Sequence, residues 1–216
     1  MRRAQRKQLL WILLIFSAGL VLPALAGSAS EGQPLKVKLA MLTQRYCRGS
    51  GDVWAIWLKL QLQTTNITGR KLIVQKTIGR AWYTPIVARD EKALAEHDFE
   101  EAPMVEFAPT ESEIRGPSQD LDKDFVILAP GESFEAESSV DLLVGAGAPS
   151  PTNKGLIRTG VHVLQLRLAT WTYATPPKPF RDKWKDFGEL LYETVKSEPL
   201  PLRVPLESEF ENCRAK

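Results

Sequence analysis

Three aspartates at alternate positions, Asp120-x-Asp122-x-Asp124, are among the few residues whose type and spacing could do chemistry. Carboxylate oxygens repeated in this way suit a hard cation, as at the start of a calcium loop. Phe125 stands where such a loop needs glycine, and Glu132 is the wrong distance along for the closing bidentate ligand. The motif is partial, and no metal is expected. Of the two histidines, His97 falls in an acidic stretch and His162 in a strand-like one. No G-x-S-x-G elbow, H-E-x-x-H helix or phosphate-cradling glycine loop accompanies them. Carboxylates such as Glu100 and Glu101 are abundant. A glycosidase, however, needs two of them at a set separation across a cleft, which abundance does not supply. No catalytic residue is assigned, no cofactor is expected, and the chain is read as non-enzymatic.

The aromatic residues are the better candidates for recognition. Trp57 and Trp171 sit on the parity opposite the leucines of their stretches, which would expose an aromatic patch to sugar or protein. Trp184, Phe187, Leu191 and Val195 recur at helical spacing within Ala174 to Ser197, after the breakers Pro176, Pro177 and Pro179. The spacing predicts a short helix from Arg181 to Tyr192. It would act either as an aromatic lid for a partner or as a plug on the open end of the core. Gly188 weakens that helix by about 1 kcal/mol relative to alanine.

These residues must be held by a frame, and the frame begins after an address. Arg2, Arg3, Arg6 and Lys7 precede an apolar run from Leu9 to Leu22, and Pro23-Ala24-Leu25-Ala26 supplies small residues before a cleavage point. Residues 1–26 therefore read as a signal peptide and 27–34 as a short linker. The alternative is an uncleaved N-terminal membrane anchor, since Leu9 to Ala26 spans 18 residues. Cleavage leaves 190 of 216 residues and turns a formal charge of +2 into −2. That is too near neutral to suggest nucleic acid as a partner. An exported destination, periplasmic or secreted, makes Cys47 and Cys213 a disulfide. Closing so long a loop stabilises by about 4–5 kcal/mol in the chain-entropy view.

Residues 35–213 then read as one domain of strands. Trp54, Ile56, Leu58, Leu60 and Leu62 alternate with Ala55, Trp57, Lys59, Gln61 and Gln63, a period of two with one dry face. Asn66-Ile67-Thr68-Gly69 stops that strand, and Leu72 to Thr77 begins the return. Asn66-Ile67-Thr68 also matches a glycosylation acceptor, though a turn alone explains it. Trp82 to Val87 is extended, and Pro85 marks it as an edge or loop. Phe125 to Leu128 runs into Ala129-Pro130-Gly131-Glu132, the composition of a type II turn, and Phe134 to Leu142 alternates again. Val161 to Thr172 is the next strand. Leu200 to Leu206, with Pro201 and Pro205 on one parity, is an edge. Residues 90–124 interrupt this rhythm as an acidic insertion with a short helix near Glu91 to Phe99. They carry a net −9, whereas residues 35–89 carry +9. The expected fold is all-β, an antiparallel sandwich of about seven strands.

The run Leu58-x-Leu60-x-Leu62 followed by Asn66 and Gly69 resembles an early strand of immunoglobulin-like modules in bacterial exported proteins. Leu128-Ala129-Pro130-Gly131-Glu132-Ser133 is similar to the turn before a later strand in such modules, and Gly160-Val161-His162-Val163-Leu164 to their penultimate strand. His162 stands where a corner tyrosine is often found. The resemblance spans about two-thirds of the mature chain and implies an immunoglobulin-like sandwich, with binding loops gathered at one end. The function expected is a binding or structural module of the cell envelope or extracellular space, with a protein as partner. Two alternatives are a carbohydrate-binding or carbohydrate-active protein using its tryptophans and acids, and a protease-inhibitor-like module presenting 174–197. The sequence carries no signal for an oligomeric state.

Overall fold

The computed structural model describes residues 32–48, 54–76, 83–101, 121–144, 157, 159–171, 178–211 and 213. The expected signal peptide and its cleavage site lie outside them. The strands among the described residues are β1 (Leu35–Arg48), β2 (Trp54–Asn66), β3 (Leu72–Gln75), β4 (Tyr83–Ala88), β5 (Phe99–Glu101), β6 (Phe125–Leu128), β7 (Ser133–Val144), β8 (Gly160–Ala169), β9 (Glu189–Leu190), β10 (Thr194–Lys196) and β11 (Leu200–Val204). Three short helices accompany them: α1 (Glu91–Ala95), α2 (Leu121–Asp124) and α3 (Lys178–Trp184). The chain is mostly β, in several largely antiparallel sheets.

The period of two along β2 is realised. Ile56, Leu58, Leu60 and Leu62 are buried, while β2 lies between β1 and β7 with both pairings antiparallel. The second sheet runs β10-β8-β4-β5, with β11 also paired to β8; the third runs β6-β3-β9. Leu164, Leu166 and Leu168 of β8, Leu72 and Val74 of β3 and Val140 and Leu142 of β7 join the β2 leucines in one core. A leucine buried this fully contributes on the order of 2 kcal/mol, which makes the shared core the main reason the sheets stack.

The free edge of β1 is stitched to the C-terminal part of the chain. Glu198 N–H donates to Val37 O at 2.7 Å, Gln44 Nε2 to Arg203 O at 2.8 Å and Arg48 N–H to Glu211 O at 2.7 Å. The Cys47–Cys213 disulfide closes the same seam across 166 residues, with Phe210 buried against Tyr46. The cysteine expectation holds. Among the described residues no helix is long and apolar enough to cross a membrane.

Four expectations are corrected. Asn66–Gly69 does not fold a hairpin, because β3 leaves the first sheet and pairs with β6. The cause is Asn66 itself, buried and hydrogen-bonded across to Leu128 O at 2.9 Å, which anchors the crossing to the next layer. Pro85 does not put β4 on an edge: β4 lies between β8 and β5, but β5 ends opposite Ile86, so proline's missing N–H falls just beyond that ladder. The acidic insertion is partly sheet, since β5 pairs with β4, and Glu101 forms an ion pair with Arg167 on β8. The predicted helix over 181–192 is instead α3, ending at Trp184, followed by a turn and then β9.

Two turns follow their composition. Glu132 N–H donates to Ala129 O at 3.0 Å with Gly131 at φ +80°, the left-handed position a type II turn reserves for glycine. Asp90 caps α1, its side chain accepting from Ala93 N–H at 2.7 Å.

Candidate functional site

A groove is built where α3 meets the start of β3. After Trp184 the chain turns, Phe187 N–H donating to Trp184 O at 2.9 Å, and Gly188 then passes close over β3. A Cβ at Gly188 would meet Lys71 O at 3.0 Å with φ at +159°, so only glycine lets β9 approach. Glu189 N–H and Leu191 N–H then bond Lys71 O and Ile73 O, each at 3.0 Å, completing the parallel pairing of β9 with β3.

A second, smaller core underlies this surface. Ile73, Phe125, Trp171, Trp184 and Leu190 are buried together on the side of β3 away from the main core. The Phe125 and Trp184 rings meet edge to face at 4.8 Å, and Phe125 and Trp171 stack at 5.9 Å. This packing fixes the floor. Above it, Phe187 and Tyr192 remain 52% and 44% exposed and line a groove of about 590 Å³. Arg70, Lys71, Arg181 and Lys185 line it too, together with Asp182 and Asp186. Arg70 is held by Glu189 at 2.6 Å, whereas Lys71, Arg181 and Lys185 form no ion pair among the described residues.

The predicted aromatic residues thus divide. Phe187 is exposed and in the groove. Trp171 is not part of an exposed patch: β8 ends at Ala169, the chain turns, and the indole drops into the second core. Trp184 is likewise buried, covering the outer face of β3 rather than an open end of the main core. Trp57 is half-buried on the outer face of the first sheet, with the Arg45 guanidinium 5.6 Å from its ring centre. Tyr192 was not singled out from sequence. Its only signal was its place a few residues beyond Gly188, a residue read there as a helix position rather than a break.

Asp120 and the Asp122 side chain lie outside the described residues. Residues 121–124 form a helical turn rather than the extended loop a calcium motif needs, and Asp124 O accepts from Lys76 N–H at 2.8 Å. Among the described residues no group of three or more His, Cys, Asp or Glu side chains could hold a metal ion. His97 sits in the left-handed region at φ 61° with its ring against Phe99, and His162 is a half-buried member of β8 opposite Leu202. The glycosylation acceptor Asn66 is 0% exposed with both Nδ2 hydrogens donated, to Leu128 O and Arg70 O, so the folded site is closed to a glycosylating enzyme.

Two groups elsewhere have shifted acidities. Burial pushes the Tyr83 phenol up to about 12, the Asp141 carboxylate adding to the effect, and its hydroxyl donates to Ser139 O at 2.7 Å. Burial also raises Asp141 above the usual carboxylate range. Compared with models of protein families, with curated proteins and with solved structures, the chain matches none.

Proposed function

We propose that this chain is an exported, non-enzymatic binding module on an immunoglobulin-like β-sandwich frame, and that a protein partner docks in the groove around Phe187 and Tyr192. Sheets that share one core from several sides support the sandwich, and the disulfide supports an oxidising destination in the cell envelope or outside the cell. The observation that carries the binding reading is two large aromatic side chains held in solvent above a floor fixed by buried Trp184 and by Gly188. Aromatic side chains on rigid backbone with arginine beside them are the residue types enriched at protein interfaces.

A photo-crosslinking residue placed at position 187 or 192 of the full chain in its native host tests this. The expected result is one discrete adduct, shared by both positions and absent when the probe replaces Val161, which is 74% exposed on β8. Identical adducts at all three positions, or none at 187 and 192, would refute the groove as a docking site.

A further inference from the structure

The outer face of the first sheet has a different character. The outward side chains of β2 read Trp57, Lys59, Gln61 and Gln63 along the strand, with β1 on one side and β7 on the other. Two hollows follow each other along this row. The first, of about 310 Å³, holds Trp57, which faces Arg45 on β1 and Asp141 on β7 in register, with Thr43 and Ser139 beside it. The second, of about 230 Å³, is lined by Lys38, Gln61, Gln63 and Glu135. Trp57 and Gln61 are four residues apart on an extended strand, so the hollows lie about 13 Å apart.

Charge on this face cancels. Lys36, Lys38, Arg45 and Lys59 stand against Glu135, Glu137, Asp141 and Glu198, the last paired with Lys36 at 3.0 Å, intermixed rather than grouped. Lys59 pairs with Glu137 at 2.8 Å, and Gln61 donates to Glu135 at 2.7 Å, which holds the middle of the row in place. Arg45 and Asp141, flanking the indole, form no ion pair among the described residues. They present guanidinium donors over the indole, 5.6 Å from its ring centre, and carboxylate acceptors across the strand from it. An indole suits the apolar C–H face of a pyranose, while guanidinium, carboxylate and primary amides suit its neighbouring hydroxyls. A face without net charge offers no attraction to a polyanion or polycation.

We propose that the outer face of the β1-β2-β7 sheet binds an uncharged oligosaccharide lengthwise along β2, with Trp57 as its stacking platform. This site is separate from the Phe187–Tyr192 groove and does not depend on the reading given to that groove.

Calorimetric titration of the oxidised full chain tests it. The probes are uncharged hexose and N-acetylhexosamine oligomers of increasing length, beside uronic-acid oligomers and single sugars. Affinity is expected to rise by about tenfold or more from single sugar to oligomer, because only the oligomer reaches both hollows. Trp57→Ala is expected to lower affinity by about tenfold or more, as for a central aromatic contact. Trp57→Phe should keep part of the binding. Gln61→Ala with Gln63→Ala, both surface changes, should weaken the longer oligomers and leave the shortest unchanged. Phe187→Ala with Tyr192→Ala should change nothing, so a failed groove and a failed sheet site are told apart. No saturable binding by any uncharged oligomer, affinity indifferent to Trp57 and the glutamines, or a preference for the acidic oligomers would each overturn the proposal.

Discussion

Asn66 is the side chain whose removal should cost the fold most for its size. It is fully buried at the point where the chain leaves the first sheet for the third. Its Nδ2 donates to Arg70 O at 2.8 Å and Leu128 O at 2.9 Å, and its Oδ1 accepts from Thr68 N–H at 2.9 Å and Thr68 Oγ1 at 2.8 Å. Asn66→Ala removes all four. The bond to Leu128 O is buried, and an acceptor stranded there costs about 1–3 kcal/mol; the more exposed partners lose about 1 kcal/mol each. Thr68 Oγ1 keeps its second acceptor, Arg70 O at 3.2 Å, so its own loss is small. The sum is about 3–5 kcal/mol, or about 10 °C in melting temperature for a chain of this length. Urea unfolding of the oxidised protein, followed by tryptophan fluorescence, measures it. Thr68→Ala, which spares the two Nδ2 bonds, should cost under about 1 kcal/mol. Should Asn66→Ala fall within about 1 kcal/mol of wild type, or Thr68→Ala match it, the crossing is not anchored by this amide.

Among the described residues the buried Thr64 hydroxyl has no hydrogen-bond partner. Thr64→Val should therefore raise stability by about 1 kcal/mol in urea unfolding, and a loss would mean that the hydroxyl has an acceptor. Replacing Cys47 and Cys213 together by alanine should cost about 5 kcal/mol from the loop that the bridge closes, read as a fall in the denaturant midpoint. A cost under about 1 kcal/mol would show that the seam along β1 holds unaided. Tyr83 is raised to about 12 in the folded protein, against about 10 unfolded. The stability it supplies is whole below pH 10 and is lost as pH rises toward 12. Tyr83→Phe should flatten the stability curve across that interval, whereas parallel curves would show that the phenol is not so held.

Much of the frame was legible because the relevant signals are local. Alternation along β2 needs only one dry face, and Pro130-Gly131 specifies a turn through dihedral angles that no other pair supplies as readily. The stripe Trp184, Phe187, Leu191 and Val195 shows the opposite case. Its spacing is helical, yet the four residues fall in α3, a turn, the stretch after β9, and β10. Trp184 enters the second core, Phe187 faces solvent, and Leu191 and Val195 enter the main core. Strands of two and three residues carry no periodicity of their own, so a coincidental helical period is not outvoted. Gly188 is the residue that decides the matter, and its role depends on a contact with Lys71 that lies far away in sequence.

The buried tryptophans had a signal that alternation hid. Leu72-Ile73-Val74 is an unbroken apolar run, and a strand written that way is covered on both faces. Leu72 and Val74 enter the main core, so Ile73 demands a cover on the other side. Trp171, Trp184 and Phe125 supply it, which removes two tryptophans from any exposed patch. The same cover creates the groove. With Trp184 committed to β3, the turn after it is pulled close to the strand, and Phe187 and Tyr192 have nowhere to pack. Exposure of those two aromatics is thus a consequence of how the second core closes, and changes that loosen Trp184 should blunt the groove before they unfold the sheets.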